Sequence, residues 1–127
     1  MTPEQFPKHF AMAFGSHDSA GIAGLVAEDG QILTLTGLTA TGTVAVQDAF
    51  AREFAGTLAV ARLVSGRLLL RPLGPGGAVL HQKYVVCGAV DAVGGEVPHF
   101  SAVLTAVVLA RAERWSAVYL GFSAVTE

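Results

Sequence analysis

Few residues in this chain can do chemistry near neutral pH. The 127 residues include four histidines and one cysteine. His81 and His99 fall in β-rich runs, while His9 and His17 fall at helix ends, where solvation is the expected state. A hairpin turning at Gly94-Gly95 pairs residues whose numbers sum to about 189. That register sets His81 beside Val108 and His99 beside Val90. Nine residues of offset at ~3.3 Å each hold the two imidazoles roughly 30 Å apart. Zinc needs its ligands within ~2.0–2.3 Å of one point, so this pair forms no metal site. Cys87 sits among Val85, Val86 and Gly88, an apolar setting that leaves a thiol inert. No serine stands in a Gly-x-Ser-x-Gly elbow. Gly74-Pro-Gly-Gly is followed by a strand rather than the helix a phosphate cradle needs, so it reads as a hairpin turn. Asp18 reads as a helix cap.

The elements that position these residues follow from periodicity. Thr2 caps a helix with Pro3 in its first turn, and Phe6, Phe10, Ala13 and Phe14 form its apolar stripe up to Gly15. Ser16 or Asp18 opens a short second helix carrying Ile22, Leu25 and Val26. Glu28-Asp29-Gly30 reads as a turn and Gln31 to Thr36 as a strand. After a loop from Gly37 to Gly42, Thr43 caps a third helix running to Phe54. Val46, Ala49, Phe50 and Phe54 lie inward, with Asp48, Arg52 and Glu53 outward. Four long β-rich runs follow: Leu58 to Leu73, bulged at Ser65-Gly66, then Ala78 to Asp91, Val97 to Arg111 and Trp115 to Val125. Their joints are short enough for hairpins.

Composition narrows the classes. Apolar residues make up 52% and charged residues 14%, which excludes a disordered chain. A net charge of -2 gives no footprint for nucleic acid or an anionic membrane. The longest apolar stretch, near Ala102 to Ala110, is shorter than the ~20 residues of a membrane span. No secretory signal opens the sequence, and a lone cysteine suits a reducing compartment, so the expected location is the cytoplasm. The third long run is apolar on both faces. One carries Val97, His99, Ser101, Val103, Thr105 and Val107, and the other Phe100, Ala102, Leu104, Ala106 and Val108. One face must pack on the helices. The other needs a second cover, and a copy of itself suffices, so a homodimer through the sheet is expected.

Phe10 through the Gly-Ser-His-Asp turn to Ile22, Leu25 and Val26, then Glu28-Asp29-Gly30, Gly42 and Arg114-Trp115, carry a likeness to a known fold. The chain resembles the nuclear-transport-factor-2-like superfamily, in particular its SnoaL-like and SgcJ/EcaC-type bacterial members. The resemblance implies one α+β domain over residues 1–127, a cone of three N-terminal helices on a strongly curved antiparallel sheet. It also implies a pocket between helices and sheet. The resemblance to ketosteroid isomerase puts that enzyme's tyrosine at Phe10, its base at Thr34 and its acid near Thr105. Phenylalanine donates no hydrogen bond, and a threonine hydroxyl is no general base near neutrality, so that activity is not expected. Cyclase and epoxide-hydrolase chemistry also want carboxylates inside the cone, and the strand interiors offer none.

The expected pocket is therefore apolar, walled by Phe10, Phe14, Phe50, Phe54 and Phe122, with Thr34, His99, Ser101 and Thr105 as its polar points. It would take a small, neutral, largely apolar ligand, with no cofactor and no metal. Two other outcomes are weighed beside it. One is an isomerase, cyclase or dehydratase-like enzyme using His99 as acid and base. The other is a dimerisation module whose cone is filled.

Overall fold

A computed structural model describes residues 1–125. The last two residues of the expected domain lie outside the described ones. A 3-10 turn over Pro3–Gln5 leads into helix α1, Phe6–Gly15. The Gln5 side chain accepts the Thr2 amide at 2.9 Å and closes that entry. Helix α2, Ser19–Ala23, is capped by Asp18, whose Oδ1 accepts the Gly21 amide at 2.9 Å. Strand β1 is Val26–Leu33, β2 is Thr39–Thr41 and helix α3 is Thr43–Phe54. Strands β3 (Arg62–Pro72), β4 (Gly77–Cys87), β5 (Phe100–Arg111) and β6 (Arg114–Ala124) complete the chain.

The six strands form one sheet in the order β2-β1-β6-β5-β4-β3. The result is the α+β arrangement expected, three helices on a curved, mainly antiparallel sheet, but several details differ. β1 lies parallel to β6, the one parallel pairing among the described residues. Helix α3 and the β3–β4–β5 meander intervene between these two strands, so they meet without a hairpin. Glu28-Asp29-Gly30 is no turn. It lies inside β1, at an irregularity in the pairing with β6. The expected loop before α3 contains β2, paired to β1. Gly42, with φ of +90°, takes the cap position assigned to Thr43. Residues 55–60 form turns, so β3 starts later than the apolar run.

The β3–β4 ladder shifts register between Ser65 and Leu68, where the bulge is expected. Extra residues in a bulge leave carbonyls without ladder partners. Gln82, buried at the adjacent position of β4, donates its amide to Gly66 O at 3.0 Å and to Lys83 O at 2.8 Å. The β4–β5 ladder pairs residues whose numbers sum to 186, with His81 opposite Thr105 rather than Val108. The bridge between Val90 and Glu96 keeps the same sum, so the turn is centred on Val93 and not on Gly94-Gly95.

One core occupies the concave side. Its sheet layer is Ala78, Leu80 and Tyr84 of β4, Ala102, Leu104, Ala106 and Val108 of β5, and Ala117, Leu120 and Phe122 of β6. Its helix layer includes Phe6, Phe10, Phe14, Ile22, Val46 and Phe50. The small alanines of the strands leave room for the large helix rings in one shared core. The Tyr84 hydroxyl donates to Pro7 O at 2.6 Å and fastens α1 to the sheet. Burial raises the pKa of that phenol well above its usual range.

Candidate functional site

Seven aromatic contacts converge where the helices meet the sheet. Phe10 lies 6.1 Å from Phe14, 6.1 Å from Phe50 and 5.7 Å from Phe122, centroid to centroid. Phe14 reaches Phe54 edge-on at 5.2 Å and Phe122 at 6.5 Å. Phe54 in turn meets Phe50 at 6.2 Å and the edge of His17 at 5.2 Å. These are the separations at which aromatic pairs attract each other. Phe10, Phe14 and Phe50 have 0% of their surface exposed, so no water-sized space touches them. Here the five rings expected to wall a pocket pack against one another.

The polar residues assigned to that pocket divide. Thr34 is buried at the end of β1, and its hydroxyl oxygen accepts the Leu38 amide at 2.9 Å. Ser101 and Thr105 sit on the other side of the sheet, because the inward phase of β5 is Ala102, Leu104, Ala106 and Val108. Both faces of β5 are apolar, and the helices selected the alanine-rich one, where there is room for their rings. His99 is exposed just before β5. It shares an outer-face groove of about 300 Å³ with Ser101, Val85, Phe100 and Val125. His81 and His99 are far apart along the ladder, as expected, but by less. His81 faces Thr105 and Val86 faces Phe100, so roughly 20 Å separates them at ~3.3 Å per residue. His17 is not solvated: it is half-buried, with Nε2 3.1 Å from Ala61 O. Cys87 is buried and free. Among the described residues no group of three or more His, Cys, Asp or Glu side chains could hold a metal ion.

Glu53 departs furthest from expectation. It is 4% exposed and stands on the buried face of α3 with Val46, Ala49 and Phe50. Spacing could have shown this, since positions 46, 49, 50 and 53 follow the i, i+3, i+4, i+7 stripe. The Oε1 atom accepts two hydrogen bonds from Thr36, from the amide at 3.2 Å and the hydroxyl at 3.0 Å. The Oε2 atom is buried without a partner. Desolvation raises this carboxyl's pKa above 4.5, opposed by the Thr36 amide and by the Thr34 and Thr36 side chains. The helix thus brings a carboxyl beside Thr34, the position where the resemblance to the isomerase places a base.

A second groove, about 560 Å³, opens between the end of α2, the start of β1 and the β5–β6 turn. Glu28, Thr43, Arg111, Arg114 and Ser116 contribute its polar wall. Its arginines are engaged: Arg111 pairs with Asp29 at 3.1 Å, and Arg114 donates to Gly24 O at 2.7 Å.

No family model and no curated protein matches the sequence. Solved structures do. An uncharacterised protein with a cystatin-like fold from Caulobacter vibrioides superposes with a TM-score of 0.87 at 15% identity, over 97% of this chain and 87% of that one. The fold is the cystatin-like, nuclear-transport-factor-2-like cone. LinA shares it with a TM-score of 0.84 at 12% identity, over 97% of this chain and 83% of its own. An NTF2-like protein from Novosphingobium aromaticivorans gives 0.76 at 18% identity, over 95% and 78%. At such identities the likeness establishes the cone and leaves its chemistry to the residues described above. No helix among the described residues is long and apolar enough to cross a membrane.

Proposed function

We propose that the chain acts as a self-associating cone: two copies join across the outer faces of their sheets, each backed by a filled aromatic interior. The observation that supports this is the outward phase of the central strands. Val79 and Val85 of β4 and Val103, Val107 and Leu109 of β5 point away from the core, with His81, Lys83 and Thr105 set among them on the same face. Tyr119, 36% exposed, extends the apolar set onto β6 opposite Val107. Leu69 and Val64, 55% and 48% exposed, extend it onto β3. Apolar outward positions in so many neighbouring strands mark an interaction surface, and a two-fold pairing satisfies both copies with the same residues. The cytoplasm remains the proposed location, on the strength of the single buried, free cysteine.

Light scattering on the double variant Val103→Lys/Val107→Lys tests the surface. The expected result is a monomer with an unchanged far-ultraviolet spectrum. A variant that associates like the unmodified chain contradicts the proposal.

The outer-face groove supports a second reading. It places an exposed imidazole, His99, beside a hydroxyl, Ser101, against apolar Phe100, Val85 and Val125. That combination suits a small neutral molecule. In that case His99→Ala lowers affinity for such a ligand at least tenfold, measured by calorimetry, and leaves the association state unaltered. Equal affinity in the variant removes His99 from the site.

A further inference from the structure

The turn between β1 and β2 is held to α3 by one side chain. Thr34 N donates to Leu38 O at 2.8 Å, Gly37 N to Thr34 O at 3.0 Å, and Leu38 N to the Thr34 hydroxyl at 2.9 Å, which closes the turn on itself. Leu35 and Leu38 rest half-buried against the core. Glu53 supplies the tie across to the helix, through the paired bonds from Thr36 to Oε1.

What satisfies Oε2 is then the open question. Its exposed area is below 1 Å², so neither a water nor a ligand fits against it in this conformation. Among the described residues Glu53 forms no ion pair. The elements packed against α3 are α1, through Phe10 and Phe14, and α2, β1 and β2. On α1 the titratable groups Lys8 and His9 are exposed, as are Asp48 and Arg52 on α3 itself. The cap of α2, Asp18, is engaged with Gly21, and on β1 Asp29 is paired with Arg111 while Glu28 lines the distant groove. β2 carries only Thr39, Ala40 and Thr41. His17 faces Phe54 and Ala61. The groups that act on the carboxyl are Thr34 and Thr36, both uncharged. A buried carboxylate with no counter-charge is unfavourable, and a proton is the one partner small enough to relieve it.

We propose that Glu53 is a proton-operated latch: its neutral carboxyl holds the Thr34–Leu38 turn against α3, and its ionisation releases that turn. Release would draw the charge out toward solvent beside Thr36, which is already exposed. It would also lift Leu35 and Leu38 from the edge of the core. The device operates within one protomer and requires neither association nor a ligand.

Amide exchange read as protection factors tests the latch, because protection factors cancel the intrinsic pH dependence of exchange. The amides are those of Thr36, Gly37 and Leu38, followed from pH 4 to pH 8 in the unmodified chain and in Glu53→Gln. The expected result is at least a tenfold loss of protection with rising pH in the unmodified chain, and constant protection in Glu53→Gln. Parallel profiles in the two proteins would overturn the proposal. So would a variant that has lost protection at every pH, since the carboxylate would then be the holding form. If Glu53→Gln does not fold, the carboxyl carbon-13 resonance of Glu53 in the unmodified chain decides the matter. A titration midpoint above 4.5 that coincides with the loss of protection supports the latch, and a midpoint at or below 4.5 overturns it.

Discussion

Glu53 and Tyr84 are both polar groups drawn into an apolar interior, and their contrast shows what decides the outcome of burial. The Tyr84 hydroxyl has a carbonyl to receive its proton, so it fastens two layers together. Tyr84→Phe removes that bond, while Pro7 O, within α1, still faces the amide one helical turn on, and the expected loss is about 0.5–1.5 kcal/mol in urea unfolding. A loss near zero would mean that the hydroxyl does not fasten the two layers. Glu53 has partners for one oxygen only. Burial raises its folded-state pKa above the 4.5 of a free carboxyl, so the folded chain binds the proton more tightly than the unfolded one. The stabilising contribution is then complete below about pH 4.5 and is lost as pH rises through the folded-state value. Glu53→Gln is accordingly expected to match the unmodified chain in thermal midpoint near pH 4 and to exceed it at pH 8. A variant less stable at pH 8 would contradict this sign.

Among the elements, the helices were legible and the sheet only partly so, for physical reasons. Phe6, Phe10 and Phe14 would share a face in a strand as well, but Ala13 and Phe14 stand three and four residues after Phe10, and only a helix buries both on one side, so α1 follows from spacing. Glu53 was misplaced because charge outweighed position in the reading of α3, although it shares a face with Val46, Ala49 and Phe50. β5 alternates one apolar set with another, and its phase could not be settled without knowing which set leaves room for the helix rings. That ambiguity sent Ser101 and Thr105 to the wrong side and left a cone that seemed to have polar points. β2 has three residues and carries no periodicity of its own; it exists because β1 offers it an edge. The bulge in β3 was legible from Ser65-Gly66, whereas its support was not. Gln82 serves three carbonyls near it, Gly66 O, Lys83 O and, at 3.4 Å, Arg67 O. Gln82→Leu removes these bonds within an otherwise apolar layer, and a loss of about 1–3 kcal/mol is expected in chemical unfolding. Stability equal to the unmodified chain would show the bulge to be self-supporting.

At the scale of the molecule, two apolar layers compete for cover and only one receives it within the chain. The helices close the concave face with packed phenylalanines, and the convex face keeps Val103, Val107, Leu109 and Tyr119 outward. A low charged fraction, 14%, leaves little else to solvate that surface. The one ion pair among the described residues, Arg111 with Asp29, is solvent-exposed on both sides and contributes little to holding the fold. Self-association is the consequence on which the proposed function depends. Sedimentation equilibrium of the unmodified chain over a range of loading concentrations tests it most directly. The expected mass is twice the 13.1 kDa of one chain. A mass of 13.1 kDa at every concentration would contradict the account.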